Sequence, residues 1–133
     1  MTPAQAPSHS PDSPPGLEHD PRFAEGLALF DSGSWYACHD AWEELWLETP
    51  GSERSALQGL LQIAVAHLHL ERNNRNGAMI LIGEGLGRLS PFGDQIFGLD
   101  LGPLKIVLEQ RLRDLQGGGN GAAAPLPRLR ESP

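Results

Sequence analysis

Two glutamines interrupt an apolar stretch of the sequence and are the first residues that could do chemistry. Gln58 and Gln62 lie about one helical turn apart within residues 56–70, which are otherwise nearly all apolar. A buried side-chain amide has to be hydrogen-bonded, because an unsatisfied one costs about 1–3 kcal/mol. The pair therefore predicts a polar neighbourhood inside or between helices.

The partners expected for these amides are on the preceding helical segment. His39 and Glu43 are four residues apart, so they share one helical face, and the short Pro50-Gly51 turn favours antiparallel packing of the two segments. We interpret the resulting cluster either as a satisfied network that fixes helix register or as a pocket in which a small polar ligand lies against tryptophan faces. The predicted cluster comprises His39, Trp42, Glu43, Trp46, Gln58, Gln62 and His69.

A catalytic metal is the alternative interpretation. His39, Glu43 and His69 would supply three protein ligands and leave a position for water, as in metal-dependent hydrolases. The spacing is not that of a zinc protease, and the main prediction includes no metal or other cofactor.

Cys38 adjoins His39, but successive helical residues point about 100° apart, so the two do not form a nucleophile and base. Cys38 is instead predicted to be a buried apolar residue.

The elements that position these residues are helices. Apolar residues recur with helical spacing across residues 21–116, and no alternation typical of strands is present. Asp20, Ser34 and Asp100 are plausible N-caps. His67, opposite the glutamine stripe, is predicted to be a core or interface residue. The pattern predicts an all-α, compact antiparallel bundle of about five helices with disordered termini, over residues 21–31, 34–49, 52–70, 76–89 and 100–115.

Three glycines interrupt the fourth predicted helix. Gly83, Gly85 and Gly87 each cost up to about 1 kcal/mol relative to alanine in a helix interior. The helix must therefore be held by packing, or a neighbour must approach it so closely that only glycine fits.

The composition of the chain distinguishes a central domain from two tails and limits the classes of binding partner. Residues 1–20 and 117–133 are rich in Pro, Gly, Ser and Ala and are predicted to be disordered tails around a helical domain at 21–116. The net charge of −7 disfavours nucleic acid as a partner. The sequence contains no signal peptide pattern and no long apolar run, so we expect a soluble cytoplasmic protein with no membrane partner.

Three motifs in order resemble a known family. They are residues 33–46 (GSWYACHDAWEELW), residues 57–64 (LQGLLQIA) and Asn76-Gly77-Ala78. Together they are similar to the domain of unknown function 309, over roughly residues 23–90. The resemblance implies a small helical domain and leaves its function open. A helical interaction module, including a homodimer formed through the last helix, is therefore a third possibility beside the pocket and the metal site.

Overall fold

The computed structural model describes residues 16–122 and 124–130. Within these residues the chain forms five α-helices, which confirms the all-α prediction. Two single-turn 3₁₀ helices lie at Leu17–His19 and Ser90–Phe92, and none of the described helices is long and apolar enough to cross a lipid bilayer. The helices are α1 (Pro21–Asp31), α2 (Trp35–Glu48), α3 (Gly51–Glu71), α4 (Arg75–Leu89) and α5 (Gly102–Gln116).

Side-chain caps begin α1 and α4, whereas the predicted cap Ser34 forms no side-chain capping bond at α2. Asp20 accepts a hydrogen bond from the Arg22 amide at 2.9 Å and caps α1. Asn74 accepts from the Gly77 amide at 3.0 Å and caps α4. Gly33 has φ +75° in the turn between α1 and α2, a conformation that favours glycine.

Helix α3 lies at the centre of the bundle and packs against both α2 and α4. Its contact with α4 is close because Gly59 and Gly85 face each other. A Cβ atom built on Gly85 would lie 2.9 Å from the Gly59 carbonyl oxygen and 2.8 Å from the Ile63 side chain. Gly83 and Gly87 face open space. The predicted close approach therefore applies to Gly85 alone among the three glycines.

An aromatic cluster joins α1 to α2. Trp42 is fully buried, its ring stacks on Phe23 at a centroid distance of 5.5 Å, and its Nε1 donates to the Phe23 carbonyl at 3.2 Å. Gly26 makes room for this indole, since a Cβ there would lie 1.9 Å from Nε1. This cluster fixes the face that α2 turns toward the core.

The connection between α4 and α5 contains a small hairpin that the sequence does not predict. Strand β1 (Gln95–Ile96) pairs antiparallel with β2 (Leu99–Asp100). Phe97 and Gly98, at the turn, both have positive φ, as two-residue hairpin turns often require. Strands of two residues are too short to produce an alternating pattern in the sequence.

Parts of both predicted tails are in contact with the helical domain. Residues 1–15 lie outside the described residues, whereas Leu17 is buried against the core. We use "C-terminal segment" for residues 117–122 and 124–130. Leu129 in this segment is buried, and its amide donates to Asp31 at 2.6 Å. The composition of 117–133 predicts disorder because it contains few large apolar residues, but one leucine and several polar contacts place this segment on the domain.

Candidate functional site

A groove on the surface between α2, α3 and α4 collects most of the predicted site residues. Its volume is about 210 Å³. Helix α2 contributes three residues, α3 four and α4 one. The lining residues of this groove, which we call the α2–α3 groove, are His39, Glu43, Trp46, Gln58, Leu61, Gln62, Val65 and Leu81.

His39 and Glu43 are in close contact at the edge of the groove. His39 Nε2 lies 3.0 Å from Glu43 Oε2, the contact expected of residues four apart on one helix. The side chains are 32% and 53% exposed, respectively. The interpretation of the cluster as a buried network is therefore wrong for this pair, because α2 turns its Trp42 face inward and leaves this edge in contact with solvent.

Gln62 is paired with residues of α4 that the sequence analysis did not identify. Its Nε2 donates to Glu84 Oε1 at 2.8 Å, and its Oε1 accepts from Arg88 Nε at 3.1 Å. The expected pairing with His39 and Glu43 is not formed. Glu84 and Arg88 lie four residues apart on α4, and that spacing was the signal that could have indicated them.

Trp46 and Gln58 provide the remaining polar and aromatic surfaces. The Trp46 Nε1 donates to the Arg54 carbonyl at 3.1 Å, and the Arg54 guanidinium carbon lies 4.0 Å from the centroid of the indole. This cation–π contact orients the indole at the end of the groove. Within the described residues, the half-buried Gln58 amide has no hydrogen-bond partner in the protein. Its donors and acceptor are therefore available at the groove.

Two predicted site residues lie elsewhere. Trp42 is part of the aromatic core, and His69 sits near the end of α3, where its Nδ1 lies 3.1 Å from Asn74 Nδ2. In the described part of the chain, no three His, Cys, Asp or Glu side chains are grouped so that they could hold a metal. The alternative metal site of His39, Glu43 and His69 is thus not assembled. His39 and Glu43 line the groove, whereas His69 does not and lies beside Asn74 near the end of α3.

Cys38 is a core residue, as predicted. It is fully buried, and its Sγ donates to the Gly26 carbonyl at 3.4 Å. Burial raises the pKa of the thiol to about 12, with a smaller contribution from the charge of Asp31. The thiolate that a nucleophile requires is therefore not formed at neutral pH.

A second polar arrangement lies at the opposite side of α3. His67 is 3% exposed, and its Nδ1 lies 2.8 Å from the Ile63 carbonyl oxygen. Burial lowers the pKa of His67 to about 4. Its Nε2 lies 3.3 Å from Nη1 of Arg111, which is also 3% exposed. The prediction that His67 is a core residue is confirmed, whereas Arg111 was not identified from the sequence.

Comparison with known protein families supports the resemblance inferred from the motifs. Residues 23–81 match the family described as Domain of unknown function (DUF309). No curated protein matches the chain. All residues that line the α2–α3 groove fall inside the matched segment, from His39 to Leu81. Helix α5 and Arg111 lie outside it.

Proposed function

We propose that residues 23–81, the segment that matches the DUF309 family, form a binding domain. The α2–α3 groove of this domain holds a small ligand with a branched apolar body and a neutral polar head. The observation that carries this proposal is the Gln58 amide, which is unpaired among the described residues, beside an accessible His39–Glu43 pair and an apolar floor. Ligand sites combine apolar walls with a few polar groups that orient the ligand in this way.

The floor of the groove selects the body of the ligand. Leu61, Val65 and Leu81 are aliphatic, and the Trp46 indole adds an aromatic surface to the lining. An apolar group that covers these side chains gains about 25 cal/mol for each Å² of apolar surface removed from water. A branched chain of four or five carbons suits a groove of about 210 Å³.

The polar rim selects the head group. Glu43 Oε2 lies 3.0 Å from His39 Nε2, and the carboxylate keeps further acceptor sites, while the Gln58 amide offers both a donor and an acceptor. A head that donates to Glu43 and accepts from Gln58 satisfies both groups. A primary amide does so, whereas a carboxylate would meet the negative charge of Glu43.

Binding of two matched probes to the full chain tests the proposal. Isovaleramide and isovalerate share one apolar body and differ only in the head. We expect isovaleramide to bind with a Kd on the order of 1 mM, the range usual for so few atoms, and isovalerate to bind at least about tenfold more weakly. Isothermal titration calorimetry measures both values.

A pair of tryptophan substitutions supplies the control. Val65→Trp fills the groove and should abolish isovaleramide binding. Ile106→Trp adds the same side chain at a position of α5 that is 58% exposed and should leave the Kd unchanged. Circular dichroism verifies that both variants are folded. Equal binding to the Val65→Trp and Ile106→Trp proteins would refute the proposal.

A further inference from the structure

A separate cavity lies beside Arg111, on the side of the bundle formed by α3, α5 and the C-terminal segment. Its volume is about 220 Å³. We call it the Arg111 cavity, and the α2–α3 groove shares none of its lining residues. The lining residues used below are Trp35, His67, Glu71, Arg111, Asn120 and Leu126.

Arg111 brings a buried positive charge to this cavity. Its Nε donates to the Gly121 carbonyl at 3.0 Å, and its Nη2 donates to the Ala124 carbonyl. Among the described residues it forms no ion pair within 4.0 Å, and burial lowers its pKa. The charge of Asp114 raises the pKa of Arg111 by less than burial lowers it, and the Asp114 carboxylate accepts from the Gly121 amide. Buried charges in proteins are normally paired, because an uncompensated one is costly.

His67 does not supply that compensation. Because its Nδ1 faces the Ile63 carbonyl, this nitrogen carries the hydrogen, and Nε2 accepts from Arg111 Nη1. The imidazole is therefore neutral and acts only as an acceptor. The ring packs against Trp35 with a centroid distance of 4.7 Å, which fixes its orientation.

Hydrogen-bond donors remain free at the cavity. A guanidinium has five N–H donors, and the contacts to Gly121, Ala124 and His67 use three of them. The Asn120 side chain accepts from the Ala122 amide through its Oδ1, which leaves its Nδ2 as a donor. The cavity thus combines the positive charge of buried Arg111 with several donors.

We propose that the Arg111 cavity binds a small oxyanion, a carboxylate or a phosphate, whose oxygens accept from Arg111 and Asn120. The anion neutralises the buried guanidinium. It also joins α5 to the C-terminal segment, because Asn120 and Leu126 form one wall of the cavity. Glu71 is an exposed carboxylate at the same cavity and weakens anion binding.

Titration of the full chain with acetate, phosphate and chloride at matched ionic strength tests this site. The probes are the Nε–H resonance of Arg111 and the indole N–H resonance of Trp35 in ¹H–¹⁵N NMR spectra. We expect a saturable shift of both resonances with acetate or phosphate, and the anion that binds more tightly identifies the head-group chemistry. A shift that does not saturate, or one that chloride reproduces, would overturn the proposal.

Two matched substitutions, each of which removes one negative charge, test the site without replacing the buried Arg111. Glu71→Gln removes the acid at the cavity and should tighten anion binding by about threefold or more, because it removes the repulsion between two like charges. Glu109→Gln removes an exposed acid of α5 that does not line the cavity and should leave the affinity unchanged. The same affinity in both variants would also overturn the proposal.

Discussion

The neutral imidazole of His67 links the stability of the core to pH. The pKa of His67 is lowered from 6.5 to about 4 mainly by burial, while the charge of Arg111 lowers it further. The unfolded chain therefore binds a proton at a higher pH than the folded chain does. Stability from this residue is complete above pH 6.5 and is lost as the pH falls toward 4.

Acid titration of stability tests this assignment. Between pH 6.5 and pH 4, His67 should lower the free energy of unfolding by up to about 3 kcal/mol. In His67→Gln, the amide can still donate to Ile63 and accept from Arg111 but does not titrate. Urea unfolding at several pH values should therefore show a shallower slope for the variant, and identical slopes in the two proteins would contradict the assignment.

At the scale of single residues, the sequence predicted types of environment better than it predicted partners. His67 and Cys38 were expected in the core and are buried there. Gln62 was expected to need partners and has two, but they come from α4, since side-chain pairing depends on the rotation of neighbouring helices about their axes. Hydrophobic periodicity within a single helix does not fix that rotation.

At the scale of elements, the glycines of α4 have two different roles. Gly85 lets α4 approach the backbone of α3, whereas Gly83 and Gly87 point into open space. Both roles occur within five residues of one helix. From the sequence, each glycine could either weaken the helix or permit a close contact with a neighbouring helix. The sequence does not show which role belongs to which glycine, because all three have the same intrinsic cost in a helix.

Three alanine substitutions should therefore give opposite results. Gly83→Ala and Gly87→Ala should each raise the free energy of unfolding by about 0.5–1 kcal/mol, because alanine favours the helix and restricts the unfolded chain. Gly85→Ala should lower it by about 1–3 kcal/mol, since the added Cβ meets Ile63 and Gly59. Urea denaturation measures all three, and a stabilising Gly85→Ala would contradict the close α3–α4 contact.

Arg111 shows the limit of assigning helix faces by residue type. Leu104, Leu108 and Leu115 are buried on α5, and Arg111 falls on the same face at helical spacing. The helical spacing of Arg111 thus indicated a buried position, whereas its charge indicated a solvent-exposed one. Two carbonyl oxygens of the C-terminal segment accept from the guanidinium, and no pattern within α5 reveals them.

At the scale of the whole molecule, the C-terminal segment closes the chain onto α1. Asp31, the last residue of α1, accepts from the Leu129 amide and lies 3.1 Å from Arg130 Nε. A carboxylate at a helix C-terminus is disfavoured by the helix dipole, and the arginine offsets that cost. Composition could not predict this contact, because it depends on one buried leucine and on charges nearly 100 residues apart.

The bundle itself was predictable, and so was the region of the candidate site. Caps, prolines and apolar periodicity indicated all five helices and the adjacency of α2 and α3. His39, Glu43, Gln58 and Gln62 were expected to converge, and they line one groove. The depth of that groove was not predictable, because it depends on how far Leu81 and the rest of α4 extend over α3.

The most direct test of the binding proposal is a map of where isovaleramide contacts the wild-type chain. ¹H–¹⁵N chemical-shift perturbation, with backbone and side-chain amides assigned, provides that map. We predict saturable shifts centred on the Gln58 side-chain amide, the Trp46 indole N–H and the backbone around Val65 and Leu81. Shifts centred on any other surface, or no saturable shift at these four residues, would contradict the assignment of the α2–α3 groove as a ligand site.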